Sequence, residues 1–102
     1  MLKLFVSLPM NGLTESSIRK RLEWCHQYVQ SKIGDEVEVI DTYITEKIPD
    51  DVKNEGVWFM AKSIELLATA DIVYFDHGWE RARGCRFEHE LALKYGLNVL
   101  NP

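Results

Sequence analysis

The chain has 102 residues, enough for a single domain spanning 1–102 with one hydrophobic core and little apolar area to spare. Hydrophobic residues at 46% and charged residues at 27% exclude a disordered chain. The formal net charge of −4 excludes a nucleic-acid polymer as the expected partner, because such a partner needs a basic face to displace counterions; a single nucleotide needs only a few local donors.

Leu2 to Leu8 is a short β-prone run ended by Pro9, which has no N–H to extend a central ladder, so a first strand is expected there. Met10, Asn11 and Gly12 supply a turn, and Thr14 is placed to cap a helix with Glu15 in its first turn. Ile18, Leu22, Cys25, Val29 and Ile33 recur at helical spacing up to Gly34, which draws one apolar stripe that covers the sheet. Glu36 to Ile40 alternates polar and apolar residues as a half-exposed edge strand does. Asp41 to Gly56 is polar, contains Pro49 and has no clear period; it reads as a lid, a subunit contact or a plain surface connection.

Asn54 is a possible cap for a second helix, in which Val57, Met60, Ala61, Ile64, Leu67 and Ala68 follow at helical spacing to about Thr69, with Trp58 and Phe59 off the stripe. Asp71 to Phe75 is one acid followed by a continuous apolar run, the pattern of a strand buried on both faces. A third helix is expected from Gly84 or Cys85 to Tyr95, ended by Gly96, before a last strand at Leu97 to Leu100. The alternation β-α-β-α-β-α-β predicts a three-layer α/β/α domain of flavodoxin-like, Rossmann-like type. Its four parallel strands are expected in the order 2-1-3-4. That order makes the loops at Ser7–Gly12 and Asp76–Gly84 face each other at the topological switch.

The chemistry-bearing residues gather at those loops. Glu88, expected in the first turn of the third helix, is stabilised there as an anion and is a candidate nucleophile or base; the alternative is a glutamate that only complements the helix dipole. Asp76 stands at the crevice end of its strand, where it can hold a sugar hydroxyl, and Trp79 offers a flat face to a base or packs over its own loop. Ser7, Pro9, Met10, Asn11 and Gly12 form a strand-to-helix loop with free N–H groups for an anion or ribose. Arg81, Arg83 and Arg86 are phosphate donors or surface charges. His77, Cys85 and His89 lack a clear fourth metal ligand, so no metal is expected. No apolar run approaches the ~20 residues of a membrane span, and nothing ahead of Leu2 reads as a signal peptide, so a cytoplasmic protein with no membrane partner and with Cys25 and Cys85 reduced is expected.

Two segments together, Phe5-Val-Ser-Leu-Pro-Met-Asn-Gly12 and Ala70-Asp-Ile-Val-Tyr-Phe with Gly-Trp-Glu-Arg-Ala-Arg-Gly-Cys-Arg-Phe-Glu88-His-Glu-Leu-Ala, resemble a bacterial and phage family of small domains of unknown function. That family is placed with the nucleoside 2-deoxyribosyltransferase-like superfamily. The resemblance spans nearly the whole chain and is loosest at Asp41 to Gly56. It implies cleavage of the N-glycosidic bond of a deoxynucleoside or its 5′-monophosphate, followed by transfer of the sugar to another base or to water, with no metal or organic cofactor. Gly84 and Glu88 then match the motif glycine and the nucleophile, and Asp71 matches the acid ahead of the third strand. The chain departs from active transferases at Phe5, where they carry an orienting tyrosine, at Leu8, where they carry glycine, and at Ala82, where an acid or serine is usual.

Two other readings stand beside this one: a nucleotide-binding module without turnover, and an interaction domain. A homo-oligomer is expected, because about a hundred residues do not easily enclose a nucleotide. Trp58, Phe59, Trp79 and Tyr95 also exceed what one small core needs.

Overall fold

Side chains along a strand alternate between its two faces, and two neighbouring strands use that rule to sort the whole core. The computed structural model describes residues 1–101. β1 (Leu2–Ser7) lies between β2 (Val37–Val39) and β3 (Ile72–Phe75) in a parallel sheet of order β2-β1-β3. The register runs from Leu4 beside Ile72 to Ser7 beside Phe75. Leu4, Val6 and Leu8 join Ile72, Tyr74 and the Ile18, Leu22, Cys25 and Val29 stripe of α1 (Glu15–Ile33) in one cluster. Phe5, Val73 and Phe75 face the other way, against Leu67 of α2 (Glu55–Leu67) and Ala92 of α3 (Arg83–Lys94). One helix therefore covers one face and two cover the other.

Local chemistry sets the helix ends. Thr14 Oγ1 accepts the Ser17 N–H at 3.2 Å, and α1 closes on Gly34 at φ 71°, a left-handed conformation that glycine adopts without a Cβ penalty. Asn54 Oδ1 accepts the Val57 N–H at 3.0 Å to start α2. Between β2 and α2 the chain from Ile40 to Asn54 forms neither helix nor strand. It is tied to α2 by a Glu46–Lys62 ion pair at 3.1 Å. Among the described residues no helix is long and apolar enough to cross a membrane.

The four-stranded order 2-1-3-4 is not formed. Leu97–Leu100 contributes one parallel bridge, Val99 to Val73, instead of a fourth strand. The Val73 N–H donates to Asn98 O at 2.9 Å and the Leu100 N–H donates to Val73 O at 2.8 Å. The next rung is made by a side chain: Asn101 Oδ1 accepts the Phe75 N–H at 3.0 Å, and Asn101 Nδ2 donates to Phe75 O at 2.7 Å. A carboxamide presents the same donor and acceptor as a peptide unit, so it satisfies the edge of β3 without extending the ladder.

α3 is capped by Ala82, whose extended backbone (φ −104°, ψ 122°) suits an N-cap but whose methyl accepts no hydrogen bond. The first-turn N–H groups thus lack the side-chain acceptor that α1 and α2 have. Ala82→Asp is expected to supply it and to complement the helix dipole, stabilising the fold by about 1 kcal/mol and raising Tm by about 5 °C. Thermal unfolding followed by circular dichroism measures this; an unchanged or lower Tm would show that the α3 N-terminus is already satisfied.

Candidate functional site

The carboxyl ends of the strands carry two loops, and the backbone joins them. The Asp76 N–H donates to Ser7 O at 2.9 Å. Gly78 has φ 89°, and a Cβ there would lie 3.9 Å from Pro9 Cγ. The loop after β1 and the loop after β3 therefore face each other.

Glu88 sits behind them. α3 begins at Arg83 and has no acidic residue in its first turn, which corrects the expected position: Glu88 is in the second turn. The helix-terminus field decays within the first turn, so it is not what holds this carboxylate. Two hydroxyls do. Ser7 Oγ on β1 donates to Glu88 Oε1 at 2.8 Å, and Ser63 Oγ on α2 donates to Oε2. Glu88 is 6% exposed, and burial pushes its carboxyl above the usual range while the Ser63 and Ser7 hydroxyls pull it back. Cys85, one turn earlier on α3, is also buried; desolvation raises its thiol, and the Ser7 hydroxyl opposes the rise.

Asp76 is built differently. It follows β3 on the α1 face, and Arg21 of α1 meets it with both Nε to Oδ2 and Nη2 to Oδ1 at 2.6 Å. This bidentate pair engages both carboxylate oxygens. The Arg21 guanidinium in turn lies 4.1 Å from the ring centre of Trp24, which stacks on Tyr28 at 5.3 Å. Burial beneath this assembly, with the Asp76 charge adding, pushes the Cys25 thiol up to about 12, so it stays a thiol.

The remaining candidates lie in separate surroundings. Trp79 is half-buried and stacks on His89 at 4.0 Å, with Phe75 at 5.5 Å, so one face of the indole is covered by the protein itself. Met10 packs at the margin of the α1-side core, and Asn11 and Gly12 form an exposed turn. A Cβ at Gly84 would lie 3.1 Å from Met60 Cε, so glycine there leaves room for the end of the Met60 side chain. Between their amino-terminal halves runs a groove of about 470 Å³, whose lining includes Val57, Met60, Ile64, Arg83 and Phe87. Asp71 does not join the others. It stands at the amino end of β3, roughly 16 Å from Asp76 at ~3.3 Å per residue. There it accepts the Lys3 N–H at 2.8 Å. Among the described residues no three His, Cys, Asp or Glu side chains gather to hold a metal ion.

Ser63 and Arg21 were not singled out from the sequence. Each carried a signal: Ser63 lies three residues from Met60 and four from Leu67, on the inward side of α2. Arg21 lies three from Ile18 and four from Cys25, on the margin of the α1 stripe.

A family model described as Domain of unknown function (DUF4406) matches residues 2–101, and the chain belongs to that family. No curated protein and no solved structure matches it.

The raised Glu88 carboxyl has a definite consequence for stability. Burial favours the protonated form, so its contribution is complete below the unfolded value and is lost as pH rises through the folded one. Above the folded value the ionised, buried group costs stability. Glu88→Gln keeps the shape and removes the charge, so at pH 7 it is expected to raise Tm by roughly 3–6 °C, with the advantage vanishing towards pH 4. Unfolding scans at both pH values check this; a lower Tm at pH 7 would make the carboxylate a structural element.

Proposed function

We propose that this chain is a small N-glycosidase or deoxyribosyltransferase of the nucleoside 2-deoxyribosyltransferase-like superfamily, with the flavodoxin-like architecture of that group. Its substrate is a deoxynucleoside or the 5′-monophosphate. The observation that supports this reading is the Glu88 carboxylate, buried at the carboxyl end of a parallel sheet with one serine hydroxyl on each oxygen and no cation among the causes of its shifted acidity. A desolvated anion in a fixed rotamer is a good nucleophile for an electron-poor carbon.

In this mechanism a Glu88 oxygen bonds to the anomeric carbon as the N-glycosidic bond breaks. The bonding pair leaves on the base nitrogen, which takes a proton from solvent. Water or a second base then attacks the same carbon and returns Glu88 as a carboxylate. Ser7, the more deeply buried donor, holds Oε1 through both steps. In this mechanism the α2–α3 groove is the approach, because Gly84 lines it one turn before Glu88 and Met60 lines it three residues before Ser63. The reaction calls for no metal or organic cofactor, and two buried free thiols suit a cytoplasmic setting.

The departures at Phe5, Leu8 and Ala82 bear on rate. The Phe5 ring is enclosed by the α2/α3-side core and offers no hydroxyl, whereas Leu8 packs into the α1-side core, away from Glu88. A binding module without turnover is the second reading, favoured by the near-complete enclosure of Glu88.

A panel of deoxynucleosides and 5′-monophosphates separates the two. The wild type should release free base, and Glu88→Gln should lower the rate on the order of a thousandfold or more while calorimetry still detects binding. Binding without release would support the module, and undiminished cleavage by Glu88→Gln would remove Glu88 as nucleophile. The proposal includes a homo-oligomer: Val57 and Phe87 are exposed on opposite walls of the groove, and a second copy over them would close it. Light scattering at micromolar concentration should report at least a dimer; a monomer throughout would contradict this part.

A further inference from the structure

The two hydroxyls on Glu88 come from different depths. Ser7 is fully buried in β1, whereas Ser63 is half-buried on α2. Oε2 is therefore the oxygen turned towards α2, the helix that forms one wall of the groove. Ser63 follows Met60 by three residues and precedes Ile64, both of which line that groove. Ser63 thus reaches the carboxylate from the helix that walls the groove. Ser7 alone would leave Glu88 free to turn about its last torsion, since one hydrogen bond fixes one oxygen; two donors on two different elements fix the plane of the group.

We propose that Ser63 is a positioning residue for Glu88, holding Oε2 on the groove side as the oxygen that attacks. This rests on the reading of Glu88 as nucleophile. Among the described residues, the groups that face Glu88 are Ser7 from β1, Ser63 from α2 and Cys85 on its own helix, while Asp76 lies on the α1 face of the sheet, paired with Arg21. His89, next along α3, is stacked on Trp79. Among the described residues no basic side chain shares the carboxylate, so the serine hydroxyls are the contributions that oppose burial. A hydroxyl donated to an ionised oxygen makes a charge-assisted bond, stronger than a neutral one, and its loss is felt in both orientation and acidity.

Ser63→Ala tests the assignment and favours the helix, alanine being the better helix former. Glu88 is followed by the carbon-13 shift of its carboxyl carbon across pH, alongside turnover of the best deoxynucleoside or monophosphate. In Ser63→Ala the carboxyl titration should move upward. The acid limb of the kcat profile should move with it, and kcat should fall about tenfold at neutral pH with KM nearly unchanged. Ser63→Thr, which keeps a hydroxyl, should restore all three. An unmoved carboxyl titration in Ser63→Ala overturns the proposal, as does a loss of rate with no change in the pH profile. If the wild type cleaves no nucleoside, the glycosidase reading fails separately, and with it the attacking role; the titration still reports whether Ser63 holds Glu88.

Discussion

Parallel pairing of β1 with β3 in the register Ser7 beside Phe75 decides where every polar group at the carboxyl edge of the sheet points. With a side-chain period of two, Phe5 and Ser7 share a face with Val73 and Phe75, while Leu4 and Val6 share the other with Ile72 and Tyr74. Past the end of β3, Asp76 falls on the α1 face. Two carboxylates thus lie at one edge of the sheet in separate environments. A one-residue slip would exchange those faces.

The environments differ in what compensates the charge. Asp76 has a guanidinium on both oxygens, and that guanidinium rests on Trp24, so the group is an anchor between α1 and the sheet. Glu88 has two hydroxyls and no cation, and burial makes its ionised form unfavourable. A fold seeking only stability would place glutamine or an apolar residue there. Poorly compensated buried carboxylates are characteristic of sites where stability is given up for chemistry. The helix that brings the second hydroxyl, α2, buries only Leu67 fully. Glu88 therefore draws its orientation from one rigid strand and one lightly anchored helix.

Much of the architecture was legible in the sequence because period and punctuation agreed. The α1 stripe, the caps at Thr14 and Asn54, the stop at Gly34 and the continuous apolar run of β3 all appear where local chemistry requires. The fourth strand failed because an apolar tail reads as a strand whether its rungs are backbone or, as at Asn101, an amide side chain. Glu88 falls in the second turn and not the first because the helix starts one or two residues earlier than expected, at Arg83, where the alanine cap gives no marker of a helix start. The site was half legible. The meeting of Ser7 with Glu88 follows from topology, but Ser63 and Arg21 act from helices whose rotation only packing determines. Asp71 and Asp76, five residues apart in sequence, stand at opposite ends of one strand, a separation that spacing alone implies.

Under the proposed mechanism the Glu88 carboxylate forms a bond to the sugar. Mass spectrometry of protein quenched in acid during turnover, or incubated with a 2-fluorinated deoxynucleoside that slows release, tests it most directly. A sugar adduct is expected on the peptide that carries Glu88, with none in Glu88→Gln. Base release with the Glu88 peptide unmodified throughout, or an adduct on a different carboxylate, would contradict it.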